Sequence, residues 1–399
     1  MGSVHSSGRP GRRTTRRLAT LAAAACIALA ACSGDGGEGA ETTVAPAAQA
    51  STTTSQPEQS TTTRAAPSTT KATTTTAAPK PKPKPKPAPR GPQETPRKIA
   101  VMVENLYSPN RSQSGRPQWG LSGAQVMVEA VVEGGITRFM AIYDSDVPGP
   151  PLIGPVRSAR LPFVQIAHGF DAEYAHWGGS QFALELLADP QYGQLNAEGN
   201  AVSGFRRTSE RSAPHNGITN WEMLNHTANA LGRDQVSVID EPWRTEPAKP
   251  KAPKQVGAIG LTFSTNRAMD VCFQYNRATN SYDRYTRSGA MSPHVELLTG
   301  APLSPTTVIV MEMDATIFSN GRSRYVHTTT TGYGPLYVFK NGQRVDGGWS
   351  RPTTDKQIAL TAHDGKKIAL PPGQVWVSLI TRSEGGTLDP RPPGSTCVP

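Results

Sequence analysis

Apolar residues are distributed very unevenly along this chain. Residues 33 to about 96 contain no Phe, Trp, Tyr, Ile, Leu or Met. From Lys98 onward apolar runs recur: Lys98 to Val103 predicts a strand that is apolar on both faces, and Asp171 to Trp177 predicts another. Between them, Phe163, Ile166, Ala167 and Phe170 recur at helical spacing. Residues 98 to 240 are therefore predicted to form an α/β domain, a mixed sheet with helices.

The carboxyl-terminal part has a different pattern, with short apolar runs separated by Gly, Pro and Asn. This pattern predicts a β-rich domain over residues 256 to 399, and we expect Thr307 to Glu312 and Val375 to Ile380 to be its central strands. Residues 241 to 255 contain four prolines and are predicted to be a linker. The other predicted strands are Ala258 to Phe263, Val271 to Asn276, Ser281 to Tyr285 and Leu336 to Phe339.

The amino terminus matches an export signal. Five arginines precede the apolar run Leu18 to Ala31, which is followed at once by Cys32. Fourteen apolar residues are too few to span a bilayer of about 30 Å, so residues 1 to 31 predict a lipoprotein signal peptide with lipid on Cys32. The alternative is a plain secretory signal. Residues 32 to 97, rich in Thr, Pro and Lys, then predict a disordered tether to the outer face of the cytoplasmic membrane.

Net charge excludes one class of partner. The chain has a formal charge of +10, but five of those charges lie in the signal peptide and three in the tether. The folded part, from residue 98 onward, therefore has a charge of only +2. Nucleic-acid binding requires a basic surface on the domain itself, so no nucleic-acid partner is expected.

Two cysteines remain in the folded part after the signal and the lipid site are set aside. Cys272 and Cys397 lie in a chain that is predicted to be exported, where disulfides form readily. We predict a disulfide that joins the carboxyl terminus to the start of the second domain. Two buried free thiols are the alternative. No metal site is predicted, because no histidine lies at ligand spacing from these cysteines.

The stretch Val126 to Arg160 concentrates candidate reactive and ligand-binding groups: two glutamates, three arginines and a Gly-Gly turn between strand-like runs. Gly134-Gly135 is typical of a two-residue hairpin turn, which would pair Val131 with Arg138. With this register, Glu129, Glu133 and Arg138 share one face of the sheet. A slip of one residue would move Arg138 to the other face.

Further candidate residues follow this hairpin. Ser158 is the expected N-cap of the next helix. Arg157 and Arg160 would flank the start of this helix, where they suit the binding of phosphate or carboxylate. Adjacent glycines before Ser180 would expose backbone N–H groups at a strand-to-helix junction, and His176 lies beside them as a possible acid, base or ligand. The predicted ligand-binding residues are Arg138, Arg157, Ser158, Arg160, Gly178, Gly179, Ser180, His215 and Asn216.

Several of these motifs resemble the YerB-like bacterial lipoproteins, two-domain envelope proteins classed as a domain of unknown function. The resemblance implies an α/β first domain and a β-rich second domain, but it implies no activity. It rests on Val101 to Asn105, Glu133 to Arg138, Gly154 to Arg160, Gly178 to Ser180, Pro214 to Asn216, Gly348 to Arg351 and Pro372 to Val377.

Three functional hypotheses remain open at this point. The first is an envelope lipoprotein that binds an anionic glycan, polymer or lipid headgroup. The second is an enzyme acting on such material, with Glu129 or Glu133 as base and His176 as acid. The third is a structural or protein-interaction role, in which the charged groups only hold the fold. None of the three requires a cofactor.

Overall fold

The computed structural model describes residues 93 to 233, 235 to 239, 256 to 319, 321 and 324 to 398. The predicted signal peptide, Cys32, the tether up to residue 92 and the predicted linker all lie outside these residues. Within the described ranges, no helix is long and apolar enough to cross a bilayer.

In the described residues 93 to 239, which we call the first half, strands alternate with three α-helices. Its elements are β1 (Gln93–Thr95), β2 (Lys98–Glu104), β3 (Val126–Val131), β4 (Thr137–Asp144), α1 (Leu161–Gly169), β5 (Ala172–His176), α2 (Gln181–Leu187), β6 (Gln194–Asn196), β7 (Arg206–Arg207), β8 (Gly217–Ile218), α3 (Trp221–Ala230) and β9 (Ser237–Ile239).

The described residues from 256 onward, which we call the second half, are built from strands, as their apolar runs predict. They are β10 (Ala258–Thr262), β11 (Val271–Asn276), β12 (Ser281–Ser288), β13 (Ala290–Pro293), β14 (Thr307–Glu312), β15 (Ala315–Ser319), β16 (Arg324–Thr328), β17 (Gly332–Lys340), β18 (Gln343–Arg351), β19 (Ala359–Ala362), β20 (Val375–Ile380) and β21 (Thr387–Arg391).

One ten-stranded sheet contains strands from both halves. Its order is β19-β18-β17-β14-β20-β3-β4-β2-β5-β6, and β20 lies parallel to both β14 and β3. Apolar layers cover both faces of this sheet, which explains why every residue of β2 is buried. The predicted α/β and β-rich fold class is confirmed, and β14 and β20 are central strands as expected.

A second sheet has the order β13-β12-β11-β10-β21. Cys272 on β11 and Cys397 beyond β21 form the predicted disulfide, with their Cα atoms 5.6 Å apart. Trp349 and Trp376 are 3% and 0% exposed, so both are core residues.

The register predicted for the β3–β4 hairpin is wrong by one residue. The loop comprises three residues, Glu133–Gly135, closed by a hydrogen bond from the N–H of Val132 to the carbonyl oxygen of Ile136. Arg138 therefore pairs with Ala130. Because side chains alternate along a strand, this shift places Glu129 and Arg138 on opposite faces of the sheet.

The start of α1 also differs from the prediction. Its N-cap is Arg160 and not Ser158, with a proline in the first turn. The expected apolar face is present, since Phe163, Ile166 and Ala167 are all buried. Ser158 remains in the extended segment before the helix, where its carbonyl oxygen accepts a hydrogen bond from Arg138.

Candidate functional site

A polar cleft of about 1200 Å³ opens beside the β3–β4 loop. We call it the arginine cleft because Arg160, Arg324 and Arg382 lie in its wall. Its lining comes from the β3–β4 loop, the segment before α1, the β5–α2 junction, β16, and the loops after β10 and β20. The full set is Glu133, Gly134, Gly135, Ser158, Arg160, Gly179, Ser180, Ser264, Thr265, Asn266, Arg324, Tyr325, Arg382, Ser383, Glu384 and Gly385.

Each wall arginine has a carboxylate partner. Arg160 Nε lies 2.6 Å from Glu133 Oε2, and Arg324 Nη2 lies 2.7 Å from Glu384 Oε1. Arg382 pairs with Glu312 at 2.7 Å, with 77% of its own side chain exposed. Pairs this exposed contribute little to stability. Arg324 and Arg382, whose side chains are 54% and 77% exposed, can therefore exchange a carboxylate for a ligand anion at small cost. The Arg160–Glu133 pair is less accessible, with 13% and 20% of the two side chains exposed.

Arg138 lies beneath the cleft and has a different environment. It is 4% exposed, its Nη1 donates to the carbonyl oxygen of Ser158 at 2.9 Å, and its Nε has no partner. Burial, together with the neighbouring Arg160 and Arg157, lowers the pKa of Arg138 to about 9. Among the described residues, no carboxylate forms an ion pair with Arg138, so its positive charge is only partly compensated.

Two further polar atoms in the cleft wall lack partners. Ser180 is 6% exposed and precedes α2, but its hydroxyl does not cap the helix and makes no hydrogen bond. Oε1 of Glu133 is also buried without a partner. Buried polar groups are nearly always satisfied in folded proteins. These two atoms of the cleft wall therefore keep hydrogen-bonding capacity that no described residue uses.

Three predicted ligand residues form a separate cluster. Arg157 Nε lies 3.1 Å from Glu104 Oε1, and His215 Nδ1 lies 2.9 Å from Glu104 Oε2. Asn216 accepts a hydrogen bond from Arg207 at 2.7 Å and donates one to the carbonyl oxygen of Thr208. Arg157, His215 and Asn216 therefore do not line the arginine cleft.

His176 and Gly178 lie behind the cleft wall. His176 has no solvent exposure, and its ring nitrogens contact the carbonyl oxygen of Gly178 and Oε1 of Gln194. Gly178 has a φ of 65°, and a Cβ there would lie 2.8 Å from Oε2 of Glu198. The positive φ therefore favours glycine here, whereas the exposed Glu198 side chain could move away from a Cβ. His176 cannot reach a ligand in the cleft.

Glu129 belongs to a closed polar network inside the protein. Its Oε2 accepts from Arg284 Nη2 at 2.8 Å and from Trp376 Nε1 at 3.2 Å. Its Oε1 accepts from Thr137 at 2.8 Å and Asn105 at 3.3 Å. Glu129 and Arg284 both have no exposure, so the geometry gives Glu129 a structural role and no access to substrate.

The same network contains His294. Arg284 Nη1 donates to His294 Nδ1, and His294 Nε2 hydrogen-bonds Oε1 of Gln118 at 2.7 Å. This arrangement requires a neutral imidazole, since Nδ1 must accept a hydrogen bond. Burial, together with Arg284 and Arg116, lowers the pKa of His294 well below its ordinary value.

Buried neutral histidines predict a loss of stability in acid. Burial lowers the pKa of both His176 and His294, so the unfolded chain binds protons first as the pH falls below about 6.5. We expect the free energy of unfolding to decrease by up to about 1.4 kcal/mol per pH unit for each histidine.

Urea titrations from about pH 7.5 to about pH 5 test this expected loss of stability. His294→Gln should reduce the slope, whereas exposed His226→Gln should not; identical slopes in all three proteins would refute the assignment.

The structure thus brings together part of the predicted site. Glu133, Ser158, Arg160, Gly179 and Ser180 line the cleft with Arg138 beneath it. Arg324, Arg382 and Glu384 were not predicted, because they lie at the start of β16 and in the turn after β20, with no local motif. Arg284 was also missed, because its strand SYDRYTRS has ordinary polar and apolar alternation.

These features define a class of protein: two sequence halves fused through one sheet, with a polar cleft built from both. Residues 87–234 match the N-terminal domain, and residues 259–377 the C-terminal domain, of a family described as "Protein of unknown function (DUF3048)". The chain belongs to this family, as its motifs predict.

A relative from Bacillus subtilis (strain 168), named "Putative lipoprotein YerB", is 28% identical over 291 residues. The match covers 71% of this chain and 81% of that protein. The crystal structure of YerB from Bacillus subtilis superimposes with a TM-score of 0.60 at 26% identity, covering 74% of this chain and 94% of that chain. The resemblance to YerB-like proteins is therefore confirmed in sequence and in fold.

Proposed function

We propose that this chain is a membrane-anchored envelope lipoprotein whose arginine cleft binds an anionic ligand. Arg138 is the observation that most directly supports the proposal, because its buried guanidinium has no carboxylate partner and donates to the carbonyl oxygen of Ser158, a residue of the cleft wall. An anionic group bound there would compensate this charge and would also accept a hydrogen bond from Ser180. Phosphate and carboxylate are the natural ligands of arginine.

The shape of the cleft favours a ligand with several anionic groups. Arg160, Arg324 and Arg382 come from three separate segments of the chain, around a volume of about 1200 Å³. A single small anion could contact one of these arginines but could not span the cleft. A phosphate- or carboxylate-bearing glycan or polymer, or a lipid headgroup, provides the repeated charge.

Anchoring on the outer face of the cytoplasmic membrane is the second part of the proposal. It is supported by the lipoprotein name of the Bacillus subtilis relative and by the apolar run that ends before Cys32. Lipid on Cys32 would place the cleft within reach of envelope polymers. Acid–base catalysis has less support, because only Glu133 of the three predicted catalytic residues lines the cleft.

Arg138→Met and Arg382→Gln provide the test, with full-length protein titrated against poly(glycerol phosphate) by calorimetry. Each change should weaken binding by about tenfold or more, because each removes a charge-assisted contact. Arg138→Met should leave the free energy of unfolding unchanged or higher, since a buried unpaired charge is replaced by an apolar side chain.

Lys366→Gln is the matched control, since Lys366 is 81% exposed, pairs with Asp364 two residues before it and does not line the cleft. This variant should bind like wild type, and added salt should weaken binding by wild type. Salt-insensitive binding, or wild-type affinity in both arginine variants, would exclude the arginine cleft as the binding site. Binding of poly(galacturonate) but not poly(glycerol phosphate) would identify carboxylate as the preferred group.

A further inference from the structure

A second, smaller pocket lies on another part of the molecule. Its volume is about 260 Å³, and it opens between the Tyr107–Pro117 segment of the first half and strands β12 and β13 of the second. We call it the Tyr107 pocket. Pro109, Pro293 and Val295 form an apolar part of its wall, and Arg116 lies in the wall as well.

Arg116 is held rigidly by atoms from both halves. It is 6% exposed; Nε donates to Oδ1 of Asn105 at 2.7 Å, and Nη1 donates to the Thr286 hydroxyl at 2.8 Å and to two carbonyl oxygens. Nη2 makes a weaker contact, 3.5 Å from the sulfur of Met269. These acceptors are all uncharged, so they orient the guanidinium without neutralising it.

The surrounding groups do not supply the missing negative charge. Glu129, a buried carboxylate of the network, pairs with Arg284 at 2.8 Å. Asp270 is shared between Arg267 and Arg287, at 2.9 and 3.3 Å. Burial and the charge of Arg284 lower the pKa of Arg116 to about 9. Among the described residues, Arg116 forms no ion pair, so a buried positive charge remains in excess beside the pocket.

We propose that the Tyr107 pocket binds a small carboxylate with an apolar body. The carboxylate would lie against Arg116 and the exposed Arg111, and the apolar body would pack on Pro109, Pro293 and Val295. A single negative charge matches one buried guanidinium. A doubly charged phosphate would lose more hydration in so small and apolar a pocket.

The test compares benzoate with its neutral isostere benzamide and with phenyl phosphate. Each compound is titrated into full-length protein and followed by calorimetry and by saturation-transfer NMR. Benzoate should bind about tenfold more tightly than either of the others, since only it matches both charge and size. Equal affinity for benzoate and benzamide, tighter binding of phenyl phosphate, or no binding at millimolar concentration would each overturn the proposal.

Two variants locate the site. Ser288→Trp fills the pocket from the end of β12 and should abolish benzoate binding, provided that its thermal unfolding matches wild type. Arg111→Gln changes an exposed residue and should weaken binding about threefold to tenfold even if Ser288→Trp fails to fold. Unchanged benzoate affinity in Arg111→Gln would place the binding elsewhere.

Arg382→Gln separates this proposal from the arginine cleft. It should bind benzoate like wild type, because Arg382 lies in the cleft and not in the Tyr107 pocket. Loss of benzoate binding in Arg382→Gln would overturn the Tyr107 assignment and leave the cleft proposal intact. Loss of polymer binding alone would bear only on the cleft.

Discussion

Glu129→Ala is expected to lower the free energy of unfolding by about 3–5 kcal/mol, the largest effect of any single side-chain change considered for this protein. The substitution would leave the guanidinium of Arg284, which has no solvent exposure, without its carboxylate. It would also remove an acceptor from Trp376 Nε1 and from the Thr137 hydroxyl. Urea denaturation followed by tryptophan fluorescence measures the loss.

The double variant Glu129→Met with Arg284→Met tests the cause. Removing both charges should recover most of the stability, because neither Glu129 nor Arg284 is left as a buried charge without its partner, and methionine can fill the space. Asp364→Ala is the surface control, since the Asp364–Lys366 pair is exposed on both sides, and it should cost less than about 1 kcal/mol. A double variant as unstable as Glu129→Ala would show that hydrogen bonding, and not charge pairing, dominates.

Cys397→Ser is expected to lower the free energy of unfolding by about 2–5 kcal/mol. The disulfide joins residues 125 positions apart, so its loss enlarges the conformational freedom of the unfolded chain. Cys397 lies beyond β21, an edge strand of the five-stranded sheet, and we expect that edge to become the least protected part of the sheet. Denaturation with and without reductant gives the difference.

The single and double cysteine variants should have similar effects, because each of them removes the same disulfide. Cys272→Ala, Cys397→Ala and the double variant should lose similar amounts of stability, apart from the packing of the Cys272 side chain, which is fully buried. Reductant should destabilise wild type but leave all three variants unchanged. Wild-type stability in the single variants would show that the Cys272–Cys397 disulfide does not stabilise the fold.

Strands could be predicted from the sequence much better than their register. Residue ranges of β11, β14 and β20 agree with the apolar runs that predict them. The β3–β4 register could not be predicted, because two adjacent glycines fit both a two-residue turn and the three-residue loop that forms. A difference of one loop residue then moved Arg138 to the opposite face from Glu129.

The site was predictable only where its residues lie close in sequence. Glu133, Ser158 and Arg160 belong to one charged stretch, and the sequence identifies them as candidates. Arg324 on β16 and Arg382 after β20 reach the same cleft from positions more than 150 residues later, so local patterns could not connect them. Burial also separates residues of the same type: Glu129 is enclosed, whereas Glu133 lines a cleft.

The parallel pairing of β20 with β3 determines the order in which this protein can fold. Val128 pairs with Val377, about 250 residues later in the chain, so β3 has an open apolar edge until nearly the whole chain is available. Such distant pairing slows folding, because a long loop must close before the contact forms. An unpaired apolar edge also favours aggregation while it is exposed. The last long central strand therefore completes the core of the first half, and neither half buries its sheet edge without the other.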